Sequence, residues 1–216
     1  MKQLLYGFVL AVGFLVACGS PVRGGDDWEY WSSFEVSGAI DTGLNFKVKL
    51  EPRYNDNCGD HYYTAIDIGL EWKIRDWLVL SPHYLHVDEK KKGDWKVEDR
   101  PSLDAVLKWK LVGLSFSDRN RLEYRIKEDK NYFRYSNKLT LKFPTLTGLK
   151  IRGCLAEEPF YDFDVGALNK NRLYVGVDFK IVEHIGAGVY YIFESRKKNS
   201  EWTNVNIIRT TLKYNF

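Results

Sequence analysis

The chain predicts an all-β fold, and more narrowly an antiparallel up-and-down transmembrane β-barrel of about 10–12 strands. Three observations carry this expectation. The last residues alternate strictly, with Ile208, Thr210, Leu212, Tyr214 and Phe216 on one face and Arg209, Thr211, Lys213 and Asn215 on the other. A side-chain period of two places such sets on opposite sides of a sheet. The same alternation recurs from Trp28 onward in segments of about 11–15 residues. Strands of soluble sheets usually run to about 5–6 residues, whereas a tilted membrane-spanning strand needs about 9–11. The third observation is composition: 28% charged and 15% aromatic residues with a mean hydropathy of −0.38. A barrel with one face to lipid and one to water carries such a balance, and aromatic girdles account for the Tyr and Trp.

The segments follow in order. Trp28, Tyr30, Phe34, Val36 and Ile40 oppose Glu29, Ser33, Glu35 and Ser37. Leu44, Phe46, Val48, Leu50 and Tyr54 oppose Asn45, Lys47, Lys49, Glu51 and Arg53, the cleanest case in the chain. Tyr62, Ile66, Ile68, Leu70, Trp72 and Ile74 oppose Asp67, Gly69, Glu71 and Lys73. Trp77 to Asp88 alternates poorly, and Pro82 within it is a mild objection to counting it as a strand. The pattern resumes at Leu103–Leu111, Arg119–Lys127, Phe133–Phe143, Leu149–Glu158, Lys170–Ile181 and Ile185–Arg196, before the terminal strand. About eleven strands result, with no helix after the N-terminal segment.

Short turns are expected at Asp41–Gly43, Arg75-Asp76, Val112-Gly113, Thr145–Gly148 and Glu183. Longer charged loops are expected at Asn55–Asp60, Asp88–Asp99, Glu128–Asn131, Asp162–Asn169 and Arg196–Glu201. Outer-membrane barrels alternate short periplasmic turns with longer outer loops, and single-chain bacterial examples normally have an even strand count. With Phe216 at the periplasmic end, counting back makes the Trp28–Ile40 strand start at the outer face. Eleven strands therefore conflict with the even-count expectation.

Residues 1–17 read as a signal peptide: Lys2 is the charged n-region and Leu4–Val16 the apolar h-region, too short for a spanning helix. The barrel domain is then 28–216. Leu15-Val16-Ala17-Cys18 resembles a lipobox, with lipidation at Cys18; ordinary cleavage between Ala17 and Gly25 is the alternative. Removing Lys2 lowers the net charge from +3 to +2, so global charge predicts no partner. Cys58 and Cys154 are able to pair in an oxidising compartment, but one reads as a loop residue and the other as mid-strand. There is no CxxC, Cys/His cluster or glycine-rich phosphate loop, so neither metal nor cofactor is expected.

The face opposite the apolar one is crowded with charge, and Lys and Arg outnumber Asp and Glu there. Arg119, Arg121, Arg125 and Arg134 form the candidate lumen basic cluster. Either this lumen attracts anions as a narrow pore, or ion pairs fill a small barrel and hold it rigid. Two other functions remain open. A lipid-acting hydrolase has only His83 and His86 with Ser81, or Ser115 and Ser117, as raw material, and no nucleophile motif surrounds them. A lipidated or periplasmic β-sandwich binding module fits the low hydropathy but not the strand lengths. Nucleic acid is not an expected partner, because the basic residues alternate within strands among interspersed acids and form no exposed patch.

Arg119-Asn-Arg-Leu-Glu-Tyr-Arg125, Arg134-Tyr-Ser-Asn-Lys-Leu-Thr-Leu-Lys-Phe-Pro144, Glu158-Pro-Phe-Tyr-Asp-Phe163 and Asn171-Arg-Leu-Tyr-Val-Gly-Val-Asp-Phe-Lys180 resemble a bacterial family of outer-membrane barrels known only as a domain of unknown function. The resemblance spans roughly Trp28 to Phe216. It implies a fold and a location in the outer membrane of a Gram-negative bacterium, and it brings no catalytic residues. In that class of barrels Leu212, Tyr214 and Phe216 resemble the C-terminal assembly signal. The implied partners are outer-membrane lipid and the outer-membrane assembly machinery.

Overall fold

The computed structural model describes residues 28–146, 150–198 and 201–216; the segment expected to be a signal peptide and Cys18 lie outside them. Eleven strands follow one another: β1 (Trp28–Asp41), β2 (Leu44–Asn55), β3 (Asp60–Arg75), β4 (Leu78–Lys91), β5 (Asp94–Leu111), β6 (Leu114–Lys127), β7 (Asn131–Lys142), β8 (Ile151–Asp162), β9 (Ala167–Lys180), β10 (Ile185–Lys198) and β11 (Glu201–Asn215). Consecutive strands pair antiparallel, and β1 closes on β11 to make a barrel. The closing seam is parallel, running from Trp28 opposite Asn206 to Ser37 opposite Asn215. Beyond it the Phe216 amide donates to the Ser37 carbonyl at 3.0 Å. A meander of eleven strands sends its first and last strands in the same direction, so only a parallel seam closes it. The even-count expectation is therefore corrected, and Trp28 and Phe216 lie at opposite ends of the barrel. A β-sandwich is excluded by the closed sheet.

The expected alternation of short turns and long loops does not hold either. Asp88–Asp99 is a hairpin rather than a loop: β4 and β5 run on to Lys91 and Asp94 and join at Lys92-Gly93, both with positive φ (53° and 95°). Two central residues of positive φ give the type I′ turn that suits a twisted hairpin. The charges that suggested a loop continue the inward face of the strands, because Glu89, Glu98 and Arg100 all turn inward.

The blurred pattern of β4 has the opposite cause. Val79, Leu85 and Val87 point inward while Leu78, Leu80 and Tyr84 point outward, so both faces carry apolar residues. Proline is tolerated at a cost to one neighbour. The ladders skip Ser81-Pro82 towards β3, Glu51-Pro52 towards β1, Arg100-Pro101 towards β6 and Glu158-Pro159 towards β7. Each of these prolines keeps its pairing on the other side. A residue without N–H gives up a ladder bond on one side only.

The polarity of the barrel is inverted relative to a soluble protein. Glu194 is 1% exposed and Glu123 4%, whereas Ile68 is 55% and Leu103 52% exposed. Six of the seven tryptophans are exposed. Trp28, Trp95 and Trp202 lie at the end where the chain enters β1, and Trp72, Trp77 and Trp109 lie at the Phe216 end. Only Trp31 is buried, at 1% exposure, in an internal apolar cluster with Ala156, Tyr174, Ile192, Val205 and Ile207. A second cluster joins Tyr63, Ala65, Leu85 and Val87.

Tyr190 is packed against the first cluster and crosses Gly176 on the neighbouring strand. A Cβ at Gly176 would strike the Tyr190 ring and sit 2.6 Å from the Val189 carbonyl oxygen. That oxygen is backbone and cannot swing away. Gly176→Ala is expected to cost about 1–3 kcal/mol by overpacking, read as a lower unfolding midpoint of the purified protein. An unchanged midpoint would remove this constraint.

Candidate functional site

The inward residues of all eleven strands converge on a cavity of about 350 Å³. Thirteen Lys and Arg and seven Asp and Glu line it, and three further buried acids, Glu29, Glu98 and Asp104, bond to these cations from behind the lining, which leaves an excess of three positive charges. The four arginines singled out in the sequence sit on β6 and β7, and each has a carboxylate. Arg121 Nε and Nη2 bond Asp104 at 2.6 and 2.8 Å, and Arg125 bonds Glu98 at 2.5 and 2.9 Å in the same two-pronged way. Arg134 Nη2 lies 2.7 Å from Glu123, and Arg119 donates to Glu158. The cluster is thus a set of bridges and not a bare anion receptor. Bidentate guanidinium–carboxylate pairs are short and geometrically exacting, which suits them to holding strands in register.

Further clamps skip a strand. Arg209 on β11 reaches Glu51 on β2 at 2.9 Å, across β1, and Arg196 on β10 reaches Glu29 on β1 at 2.9 Å, across β11. Glu194, the most buried acid, meets Arg172 at 2.5 Å, Arg196 at 2.8 Å and Lys170 at 3.5 Å. Aromatic faces take up further cations: Arg53 lies 3.7 Å over Trp31 and 4.0 Å over Tyr63, and Arg172 lies 4.9 Å over both Trp31 and Phe160. Cations over ring faces are stabilised by the ring quadrupole, the more so when desolvated.

Lys138 differs from these. Its ammonium sits 3.6 Å over the Tyr174 ring, and among the described residues it has no carboxylate within 4.0 Å. Arg119 and Arg209 repel it, and Glu158 opposes them. The buried Nε groups of Arg119 and Arg209 find no hydrogen-bond acceptor among the protein's own atoms. Three donors that need an acceptor therefore line one region of the cavity.

A second cavity, of about 500 Å³, opens at the Phe216 end and is lined by Lys108, Lys110, Lys142 and Arg152 with Asp76. Lys142 is paired with Asp178 at 2.8 Å. Asp76 lies in the turn 2.7 Å from Lys73, whose hydrogen bond holds its carboxyl below the ordinary value.

The candidate hydrolase residues are not brought together. His83 turns inward with Nδ1 2.9 Å from Asp67 and Nε2 3.8 Å from Asp104, so both ring nitrogens face carboxylates. Ser81 is buried on the same face, and no hydrogen bond joins it to His83. His86 turns outward to Asp99 at 2.8 Å. Ser115 and Ser117 line the cavity at the Phe216 end, without a histidine. Cys58 is exposed and Cys154 buried, and both are free. Among the described residues no group of three or more His, Cys, Asp or Glu is arranged to hold a metal. Leu212, Tyr214 and Phe216 all face outward, at 43%, 39% and 69% exposure.

Residues 28–205 match the family described as Protein of unknown function (DUF2490). The chain belongs to this family. The DUF2490 match begins at the first residue of β1 and ends within β11, so it covers the barrel and every clamp above except that of Arg209. No curated protein matches the chain. Sequence reasoning missed three parts of this DUF2490 lumen: Glu98, assigned to the Asp88–Asp99 loop, Arg100, left between that loop and the next strand, and Trp31, an aromatic on the polar face. For the first two the signal was present, since Glu98, Arg100, Ser102 and Asp104 alternate with Val97, Asp99, Pro101 and Leu103.

Removing one partner of a buried ion pair leaves an uncompensated charge, at a cost of about 3–5 kcal/mol. Glu194→Gln is therefore expected to lower stability by that order, because Arg172, Arg196 and Lys170 all lose a carboxylate. Glu128→Gln, which frees only the exposed Lys96, should leave stability unchanged. Denaturant midpoints of the two variants compare them directly, and equal midpoints would contradict a clamping role for the lumen.

Proposed function

We propose that this DUF2490 protein is an outer-membrane β-barrel of a Gram-negative bacterium whose lumen is a narrow, anion-preferring path, held rigid by its own ion pairs. The observation that carries the membrane reading is the inverted polarity. A belt of Phe34, Ile66, Ile68, Leu70, Leu103, Leu122, Leu139 and Leu212 is exposed around a barrel whose charges are buried. The two sets of three tryptophans flank this belt, as aromatic girdles flank the lipid band of a membrane barrel. Strands of 12–18 residues span the hydrocarbon layer and overhang it.

Anion preference is supported by the charge excess in the lumen and by Lys108, Lys110 and Arg152 at the Phe216 mouth. Within the lumen Lys138, Arg119 and Arg209 are the residues that select, because their donors lack full compensation. Outer-membrane lipid is the solvent of the outward face. Leu212, Tyr214 and Phe216 form the signal for the assembly machinery, with Phe216 at the periplasmic end. The N-terminal end of β1 then lies at the outer face.

These readings have separate measurements. The protein should remain in membranes after carbonate washing and show a gel band that shifts on boiling. Deleting Phe216 should reduce that band. A tag inserted at position 26 should be cleaved by protease on intact cells, and consistent protection would reverse the orientation.

In planar bilayers the wild type should give small, anion-preferring steps, and Lys138→Glu should lower or invert the preference. Electrical silence of a correctly folded wild type would leave a rigid structural barrel in place of a pore.

A further inference from the structure

The wall built by β5–β8 changes character towards the Phe216 end. Lys110 on β5 lies opposite Ser115 on β6, and Ser115 lies opposite Lys142 on β7. One row deeper, Lys108 lies opposite Ser117 and Ser117 opposite Thr140. The next row brings Arg119 opposite Lys138. Thr140 shares the inward face of Lys138 and Lys142. These rows hold lysine, arginine, serine and threonine and no carboxylate. Arg152 on β8 adds a guanidinium to the same cavity.

Compensation is lopsided around this mouth. On β2 Lys47 sits between Glu35 at 3.2 Å and Glu71 at 3.5 Å. Lys108, Lys110 and Arg152 have no carboxylate within 4.0 Å among the described residues. Asp178, opposite Arg152 in the β8–β9 register, is taken by Lys142 at 2.8 Å and by the Tyr190 hydroxyl. Asp76 is held by Lys73 at 2.7 Å. The Arg152 fork is spent on one neutral atom, since Nε and Nη2 both donate to Thr145 Oγ1, at 3.1 and 3.0 Å.

We propose that this pocket binds a phosphate group. The proposal deepens the anion-preferring reading, on which its role as the entrance to a path rests. Three unmatched cations favour an anion of more than one charge, because a monoanion leaves two of them uncompensated. A tetrahedral oxyanion presents oxygens on every side, and the donors converge from four strands: ammonium groups on β5 and β7, the Ser115 and Ser117 hydroxyls on β6 and the guanidinium on β8. A guanidinium fork matches two oxygens of one phosphate better than a single hydroxyl oxygen, so phosphate displaces Thr145. Lys108 and Lys110 are exposed and within reach of solution. Trp109 and Phe116, stacked with centroids 5.4 Å apart, line the same cavity and set an apolar surface beside the cations. A soluble phosphate and the phosphate of a lipid headgroup share this chemistry.

The test follows the unfolding midpoint of the full-length protein in detergent against inorganic phosphate and, separately, dihexanoyl phosphatidic acid, with chloride holding the ionic strength constant. A ligand that binds only the folded state raises the midpoint. The wild type should respond to at least one of the two. Response to the lipid alone assigns a headgroup, and response to inorganic phosphate assigns a soluble source. Lys108→Gln with Lys110→Gln should weaken binding about tenfold, through the loss of charge-assisted hydrogen bonds. Arg152→Lys keeps the charge but loses the fork and should weaken it too. Lys92→Gln, at the hairpin tip between β4 and β5 at the other end, should bind as the wild type does. The heat-shifted gel band reports folding of every variant.

A folded wild type whose midpoint rises with neither compound overturns the site. Unchanged binding in the lysine pair variant or in Arg152→Lys overturns the assigned pocket, as does equal weakening by Lys92→Gln. Planar bilayers keep the two readings apart. Anion-preferring steps without phosphate binding leave the lumen path standing and remove the site. Phosphate binding by an electrically silent protein keeps the site and removes the path.

Discussion

The parallel pairing of β1 with β11 removes both edges of the sheet, and the interior exists only because those edges are gone. An open sheet of this composition would present unpaired backbone groups at both margins and would have no enclosed space to bury its charges. Closure of an odd meander also separates the chain ends, so the entry to β1 and the aromatic terminus mark different mouths. The seam is reinforced from both faces. Outside, the Tyr30 hydroxyl meets Thr210 at 2.7 Å. Inside, the Arg209–Glu51 and Arg196–Glu29 clamps step across it.

Those clamps explain why so much charge is compatible with a folded protein. In a narrow barrel a side chain from one strand reaches the second strand along, and guanidinium groups are long and planar enough to bond there. Ion pairs therefore take the place that aliphatic packing takes in a soluble core. They bring directionality, because a bidentate arginine accepts only one register of its neighbours. Where two apolar clusters do form inside, around Trp31 and around Val87, the strands concerned lose their clean alternation.

That loss marks the limit of what the sequence makes legible. Leu44–Tyr54 is readable because every inward residue is polar and every outward one apolar, so the period of two is unmixed. β4 is hard to read because Val79, Leu85 and Val87 fill the lumen while Leu78 and Leu80 face out. The Lys92-Gly93 hairpin is hard to read for another reason: beyond the apolar belt both faces of a strand turn polar, and alternation no longer distinguishes strand from loop. The odd strand count was visible only as a conflict, since a parallel seam leaves no mark in the residues that form it. Of the candidate site, the four arginines were legible by their parity. Their partners were not: Asp104, Glu98 and Glu123 are fixed only by the register of the neighbouring strand, and Arg119 finds Glu158 two strands away.

The clamps also bear on how a charged lumen acquires a sign. If each arginine in the lumen were matched by one carboxylate, the barrel would be neutral and its field would cancel within a few ångströms. Thirteen cations are not cancelled by the seven acids of the lining together with Glu29, Glu98 and Asp104 behind them. Some carboxylates serve two or three cations, as Glu194 serves Arg172, Arg196 and Lys170. Sharing satisfies hydrogen-bond geometry without satisfying charge, so the same contacts that stiffen the wall leave a positive interior. Lys138 sits at the end of this logic: its nearest strong contact is the face of Tyr174, which supplies quadrupole but no net negative charge. An interior built in this way lowers the energy of an anion wherever there is room for one. On the proposed reading, rigidity and anion preference are two consequences of a single arrangement of arginine, carboxylate and aromatic ring.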